Sequence, residues 1–218
     1  MKQKNKLLHV RTAKTASSAL QVWVNLNQEF IKSTDNTKWL HTPNNEQKIK
    51  DKQFNVFITS VRNPYRRAYS QYRYLIRDNN WKKYCRPKSF EEFLEIDFTK
   101  IKNQHLSTHM TPVSYYLGES LNDKTVHYLK AERLYEDIGI LCEIYDLKPP
   151  EENRIVYETH YYKPDMDKEF ENKEIRDLCY EKYYDDFYNF DYSYDDWIKL
   201  YPEQNLEKAN PEIPTVKL

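Results

Sequence analysis

The chain has 218 residues, a length that fits one large domain and can bury a sizeable core. Its 34 Lys+Arg and 34 Asp+Glu cancel, so no global field draws it to nucleic acid or to an anionic membrane, and any anion site must be local. Its only two glycines, Gly118 and Gly139, are too far apart to build G-x-x-x-x-G-K-[ST] or G-x-G-x-x-G, which argues against an ordinary Walker-type kinase and an ordinary dinucleotide dehydrogenase.

Hydrophobic residues make up 39% of the chain, but 20 are Tyr, so the core is expected to be finished with Tyr and Phe rather than with aliphatics. Cys85, Cys142 and Cys179 are widely spaced and odd in number, which fits free thiols in a reducing compartment and neither a metal site nor a disulfide framework. The N-terminal MKQKNK leads straight into a strand, and no apolar run is long enough to span a bilayer. A soluble cytoplasmic protein with no membrane partner is expected. No feature sets an oligomeric state.

In chain order, Leu7, Leu8 and Val10 read as a short buried strand, and Arg11 to Lys14 as a polar turn. An amphipathic helix follows from Thr15, with Leu20, Trp23, Val24 and Phe30 near helical spacing. Lys14 and the small residues Thr15, Ala16, Ser17 and Ser18 thus sit where a strand hands over to a helix. Exposed first-turn N–H groups, the positive end of the helix dipole and a lysine together favour a phosphate or sulfate. A plain strand–turn–helix with a Thr or Ser N-cap explains the same residues equally well.

Residues 33–53 read as a polar surface connection with a short helix at 44–50, and His41 lies inside it. Residues 54–61, FNVFITSV, predict a parallel strand buried on both faces. Pro64 fits the first position of a helix that runs to Arg77. Arg62 then stands at the strand's C-terminal edge, where ligands bind in open α/β sheets, unless it merely pairs with a carboxylate. Ser70 lies two turns down that helix.

Ser89-Phe-Glu-Glu reads as a capping-box start for a helix over 90–96. His105 and His109 are four apart, but the Glu of H-E-x-x-H is missing. A third strand is predicted at 125–129, then Glu132, then a helix from Leu134 to Tyr145 with Cys142 on its core face. Residues 151–170, which include His160, read as charged and irregular, and a helix follows from Lys173 to Tyr184. The aromatic-acidic stretch from Asp185 to Trp197 is expected to dock on the core. These elements predict an α/β fold: one domain over 1–200 with a mostly parallel sheet flanked by helices, and an extended tail over 201–218.

KTASSAL after one strand and FITSVRNPYRRAYSQY after another resemble the sulfotransferases that use 3′-phosphoadenosine 5′-phosphosulfate (PAPS). The similarity is to the carbohydrate-sulfotransferase branch, which includes heparan sulfate 2-O-sulfotransferase-like enzymes and small bacterial and viral relatives. The family's first loop reads P-K-T-A-[GS]-T-S, against A-K-T-A-S-S-A here. Its second reads V-R-[ND]-P-x-x-R-x-x-S, and Val61 to Ser70 matches every stated position. His41 before the second strand, Glu132 and Leu134, and an ending near D-F-x-x-F-x-Y over Asp186 to Tyr192 extend the resemblance to residues 7–195.

The resemblance implies that Lys14 contacts the 5′-phosphosulfate and stabilises the leaving phosphate. It implies that Thr15, Ala16, Ser17, Ser18 and Ala19 wrap that group, and that Arg62 and Ser70 hold the 3′-phosphate. The donor would be PAPS, the product adenosine 3′,5′-bisphosphate (PAP), and the acceptor a hydroxyl, with the branch favouring a glycan. Sulfuryl transfer is an in-line displacement in which the protein positions groups and neutralises charge, so no metal is required if Lys14 and the helix N-terminus cover the leaving group. His41 is the first choice for the base, with Glu132, His105 and His160 as rivals. The source implied is microbial or viral. A nucleotide kinase and a non-catalytic nucleotide- or sulfate-binding protein are the alternatives.

Overall fold

The computed structural model describes residues 7–33, 54–77, 84, 86–117, 125–150 and 163–198. Strands β1 (Leu7–His9), β2 (Ile31–Ser33), β3 (Val56–Val61) and β4 (Thr125–Lys130) form one sheet in the order β2-β1-β3-β4. Every pairing is parallel: Leu7 stands opposite Ile31 on one side and Val56 on the other, and Val56 stands opposite Thr125. The fold is therefore α/β with an all-parallel sheet among the described residues.

Alternation along the strands decides what covers each face. Leu7, Val56 and Ile58 point to one face, where they meet Leu20, Trp23 and Val24 of α1 (Ser17–Leu26). Leu134, Ile138 and Leu141 of α6 (Leu134–Tyr145) complete that layer. Leu8, Val10, Phe57 and Val61 point to the other face, against Val113, Leu117 and Phe190. The central strands are apolar on both sides for this reason, as a parallel sheet requires. Asn27 pins the first layer: its Nδ2 donates to the Lys148 carbonyl (3.0 Å), and the Lys148 N–H donates back to its Oδ1 (2.9 Å).

Helix α5 (Val113–Leu117) lies on that second face, and the remaining helices form an aromatic layer beyond the sheet. They are α2 (Pro64–Arg77), α3 (Phe90–Glu95), α4 (Gln104–Met110), α7 (Lys163–Glu171), α8 (Lys173–Lys182) and α9 (Tyr184–Asn189). Tyr65 of α2 sits edge-on to Phe170 and to Phe187, with ring centres 4.9 Å apart in both pairs. Tyr69, Phe90, Phe93 and Tyr183 are buried in the same cluster. Tyr and Phe finish this layer alone: the layers on the sheet are chiefly Leu, Val and Ile, which corrects the expectation of an aromatic core throughout. The aromatic stretch after Asp185 docks through Phe187 on the aromatic layer and through Phe190 on the sheet.

Several expectations are corrected. Helix α1 starts at Ser17, not Thr15, and ends at Leu26, so Phe30 is outside it. Strand β2 falls in a stretch read as helix end and connection. Its only aliphatic residue is Ile31, too little for a periodicity to show. Residues 163–171 are helical rather than irregular; the helix is mostly charged and buries Met166 and Phe170. Helices α4 and α5 are short, and no apolar periodicity in the sequence marks them. Cys142 is only half-buried, whereas Cys179 is fully buried, and both are free. The short helix proposed at 44–50 and the tail at 201–218 lie outside the described residues.

Candidate functional site

The strand order places a reversal at β1. The chain leaves β1 through α1 to β2 on one side, and β3 pairs on the other. The C-terminal ends of β1 and β3 therefore flank a topological switch point, where open α/β sheets hold their ligands. Lys14 follows β1 and Arg62 follows β3, so the two basic residues come to one edge. The Arg62 Nη1 lies 3.5 Å from the Lys14 carbonyl oxygen.

The turn after β1 continues beside β3. The Val10 N–H donates to the Ile58 carbonyl at 2.8 Å, and the Thr12 hydroxyl donates to the Ser60 carbonyl at 2.8 Å. Lys14 and Ala16 then adopt left-handed backbone, with φ 62° and 64°. No glycine relieves these positions, and each costs about 1–2 kcal/mol for an L-residue. Thr15 between them is buried, with its hydroxyl 2.7 Å from that of Thr12 and 3.0 Å from that of Ser60. That hydroxyl is turned into the fold.

Helix α1 opens without a side-chain cap. Its N-cap is Ala16, and the first turn carries no acidic residue. A helix start leaves N–H groups without intrahelical partners and a partial positive charge. Ser17 and Ala19 are half-buried and Ser18 is exposed at this start. The ammonium of Lys14 lies 4.4 Å from the centre of the Tyr74 ring, and that ring stacks on His109 at 4.9 Å.

The second turn is built around Asn63. Its Oδ1 accepts from the Tyr65 N–H at 3.0 Å and caps α2, with Pro64 at the first helical position. The Asn63 N–H donates to Glu132 Oε1 at 2.9 Å, and the Tyr192 hydroxyl donates to Glu132 Oε2 at 2.9 Å. Arg66 Nη1 lies 4.0 Å from Glu132 Oε1. Burial, reinforced by this carboxylate, pushes the Tyr192 phenol up, so it stays a donor. Glu132 thus braces the Arg62 turn. Ser70 lies half-buried on α2, two turns from its start.

Arg67 and Asp186 form a buried node that sequence reasoning missed. Arg67 donates from Nε to the Ala13 carbonyl (3.1 Å) and from Nη2 to the Thr111 carbonyl (2.6 Å). Its Nη1 meets Asp186 Oδ2 at 3.3 Å. Asp186 also accepts from the Val113 N–H (2.9 Å), the Ser114 N–H (2.7 Å) and the Ser114 hydroxyl (2.8 Å). A signal existed, since Arg67 is the second arginine of V-R-[ND]-P-x-x-R-x-x-S and Asp186 opens D-F-x-x-F-x-Y. The pairing joins residues 119 positions apart, which no local pattern reveals.

Beneath the turn, His9 is fully buried, with Nδ1 3.3 Å from the Ser33 hydroxyl. That hydroxyl donates to Gln21 Oε1 at 2.8 Å, so it accepts from His9, which assigns the imidazole proton to Nδ1. Burial first, and the nearby Arg11 charge second, push the His9 pKa down to about 3, so the ring is neutral.

The fold thus assembles Lys14, Thr15, Ala16, Ser17, Ser18, Ala19 and Arg62 at one edge. His41 and His160 lie outside the described residues, and His105 sits on α4. Comparisons with protein-family models, curated proteins and solved structures find no significant match. The functional reading therefore stands on the residues themselves. No helix among the described residues is long and apolar enough to cross a membrane.

Proposed function

We propose that this chain is a sulfotransferase that moves the sulfuryl group of PAPS to a hydroxyl acceptor, with a sugar hydroxyl as the acceptor class. One observation carries the reading: two basic strand ends meet at a switch point, beside a helix start with no side-chain cap. A bisphosphorylated nucleotide needs two separated cationic grips, and this edge offers Lys14 and Arg62. The resemblance of Val61 to Ser70 and of Lys14 to Ala19 to the PAPS-dependent family supports the same donor.

In this mechanism the acceptor oxygen attacks sulfur in line with the leaving 5′-phosphate. The S–O bond to the acceptor forms as the S–O bond to the phosphate breaks. Negative charge grows on the leaving phosphate, and Lys14 with the α1 N–H groups neutralises it there. Arg62 and Ser70 hold the 3′-phosphate and fix the donor along the cleft. His41 takes the acceptor proton, a role assigned by the resemblance. The chain's part is positioning and charge neutralisation, which such transfers chiefly need.

The test is transfer of radiolabelled sulfate from PAPS to a panel of glycans, phenols and tyrosyl peptides, with PAP measured as the co-product. Label in a glycan and matching PAP support the proposal. Tight PAP binding without transfer to any acceptor would make the chain a binding protein. Magnesium-dependent ATP turnover would make it a kinase.

A further inference from the structure

We propose that Arg67 and Asp186 are positioning residues for Lys14, holding its turn in the shape that presents the ammonium to an anionic donor. The inference rests on Lys14 being a donor-site residue. Lys14 and Ala16 are both left-handed without being glycine, so the turn is strained. Strained backbone persists only where its surroundings over-determine it. The Ala13 carbonyl, immediately before Lys14, accepts from Arg67 Nε at 3.1 Å. The same guanidinium is fixed in two further directions, by the Thr111 carbonyl at 2.6 Å and by Asp186 at 3.3 Å.

A planar fork with three fixed acceptors has little freedom, so it sets where the Ala13 carbonyl stands. Asp186 is itself held by two backbone N–H groups and one hydroxyl at the start of α5. The Lys14 turn is thereby tied through one side chain to the aromatic layer and to the chain's C-terminal third. Stability alone is a poor account of the pair, whose side chains are 1% and 2% exposed. Buried ion pairs are often matched or beaten in stability by apolar residues, because desolvation offsets their attraction. Orientation of the turn is what this pair supplies and an apolar pair could not.

Arg67→Lys keeps a charge beside Asp186 but loses the fork. Asp186→Asn keeps the shape but loses the charge, and serves where Arg67→Lys does not fold. PAP affinity is measured by calorimetry in wild type, in Arg67→Lys, in Lys14→Ala and in the double variant. The expected result is a loss of about tenfold from Arg67→Lys in the wild-type background, shrinking to within about twofold in the Lys14→Ala background. Equal losses in both backgrounds overturn the inference, since a general structural effect would be additive. A second readout needs no donor. After reductive ¹³C-methylation, the Lys14 resonance, identified by its loss in Lys14→Arg, should shift in Arg67→Lys and in Asp186→Asn. Lys130, whose ammonium lies 4.5 Å from the Tyr192 ring centre, is the reference that should not move. An unmoved Lys14 resonance in a folded variant overturns the inference. If wild type does not bind PAP, the donor reading fails, and the resonance decides the positioning role by itself.

Discussion

Arg62 and Lys14 are 48 positions apart, yet the Arg62 guanidinium reaches to 3.5 Å from the Lys14 carbonyl oxygen. The parallel register of β1 and β3, Leu7 opposite Val56 through His9 opposite Ile58, produces this approach. Strand β3 runs three residues past its last pair with β1, and the turn after β1 continues beside it as far as Ser60, so the two turns share one edge. A ligand with two anionic groups would therefore meet one cation from each turn.

Arg62→Ala should weaken PAP binding far more than AMP binding. The charge-assisted bonds lost are worth about 1.5–3 kcal/mol, and only PAP carries the 3′-phosphate. Calorimetric titration with both nucleotides checks this. Equal losses would show that Arg62 does not read the 3′-phosphate.

Lys14→Ala should lower sulfate transfer by roughly 10²–10³-fold, by analogy with removal of one oxyanion donor. PAP affinity should fall less, because helix N–H groups and Arg62 still hold the nucleotide. Lys14→Arg should not restore the rate, since a planar fork cannot replace a compact ammonium in a tight turn. Single-turnover rates for the variants, set beside their PAP dissociation constants, test this. Unchanged transfer by Lys14→Ala would end the mechanism.

Glu132 and His41 should separate by phenotype. Glu132 accepts from the Asn63 N–H and the Tyr192 hydroxyl, so Glu132→Ala should destabilise the fold by about 1–3 kcal/mol through an unsatisfied buried donor. His41→Ala should instead cut transfer by roughly 10²–10⁴-fold with donor affinity nearly intact. Urea denaturation and transfer assays on both variants distinguish them. Near-normal turnover in His41→Ala would move the base elsewhere.

His9 should make the fold sensitive to acid. Its folded pKa of about 3 lies below the ordinary 6.5, so the unfolded chain binds the proton first as pH falls. Stability is unaffected by this group above the ordinary value and declines from there down to the folded value. The decline is about 1.4 kcal/mol per pH unit, or about 2 kcal/mol between pH 7 and pH 5. Comparing urea unfolding of wild type and His9→Asn at those two pH values tests it. An equal drop in both proteins would assign the acid sensitivity to other groups.

Local chemistry made much of the framework readable from sequence. The β-branched and aromatic run VFITSV followed by Asn63-Pro64 announced β3 and the start of α2, because proline's fixed φ suits a first helical position. The apolar spacing of Leu134, Ile138 and Leu141 marked α6 at its observed bounds. Lys14 and Arg62 stand out in the sequence because each follows a strand and precedes a helix. Tertiary structure decided the rest. Strand β2 is recruited by pairing with β1 and not by its own three residues. Helix α7 exists because Met166 and Phe170 find an aromatic layer built by distant residues. The Thr15 hydroxyl turns inward only because Thr12 and Ser60 stand beside it. Arg67 and Asp186 looked like ordinary charges. Burial together, with backbone carbonyls and N–H groups around them, makes them the brace of the Lys14 turn. Sequence periodicity reports which face of an element is apolar. It carries no term for which distant polar group will meet another, and that meeting is what holds the Lys14 turn.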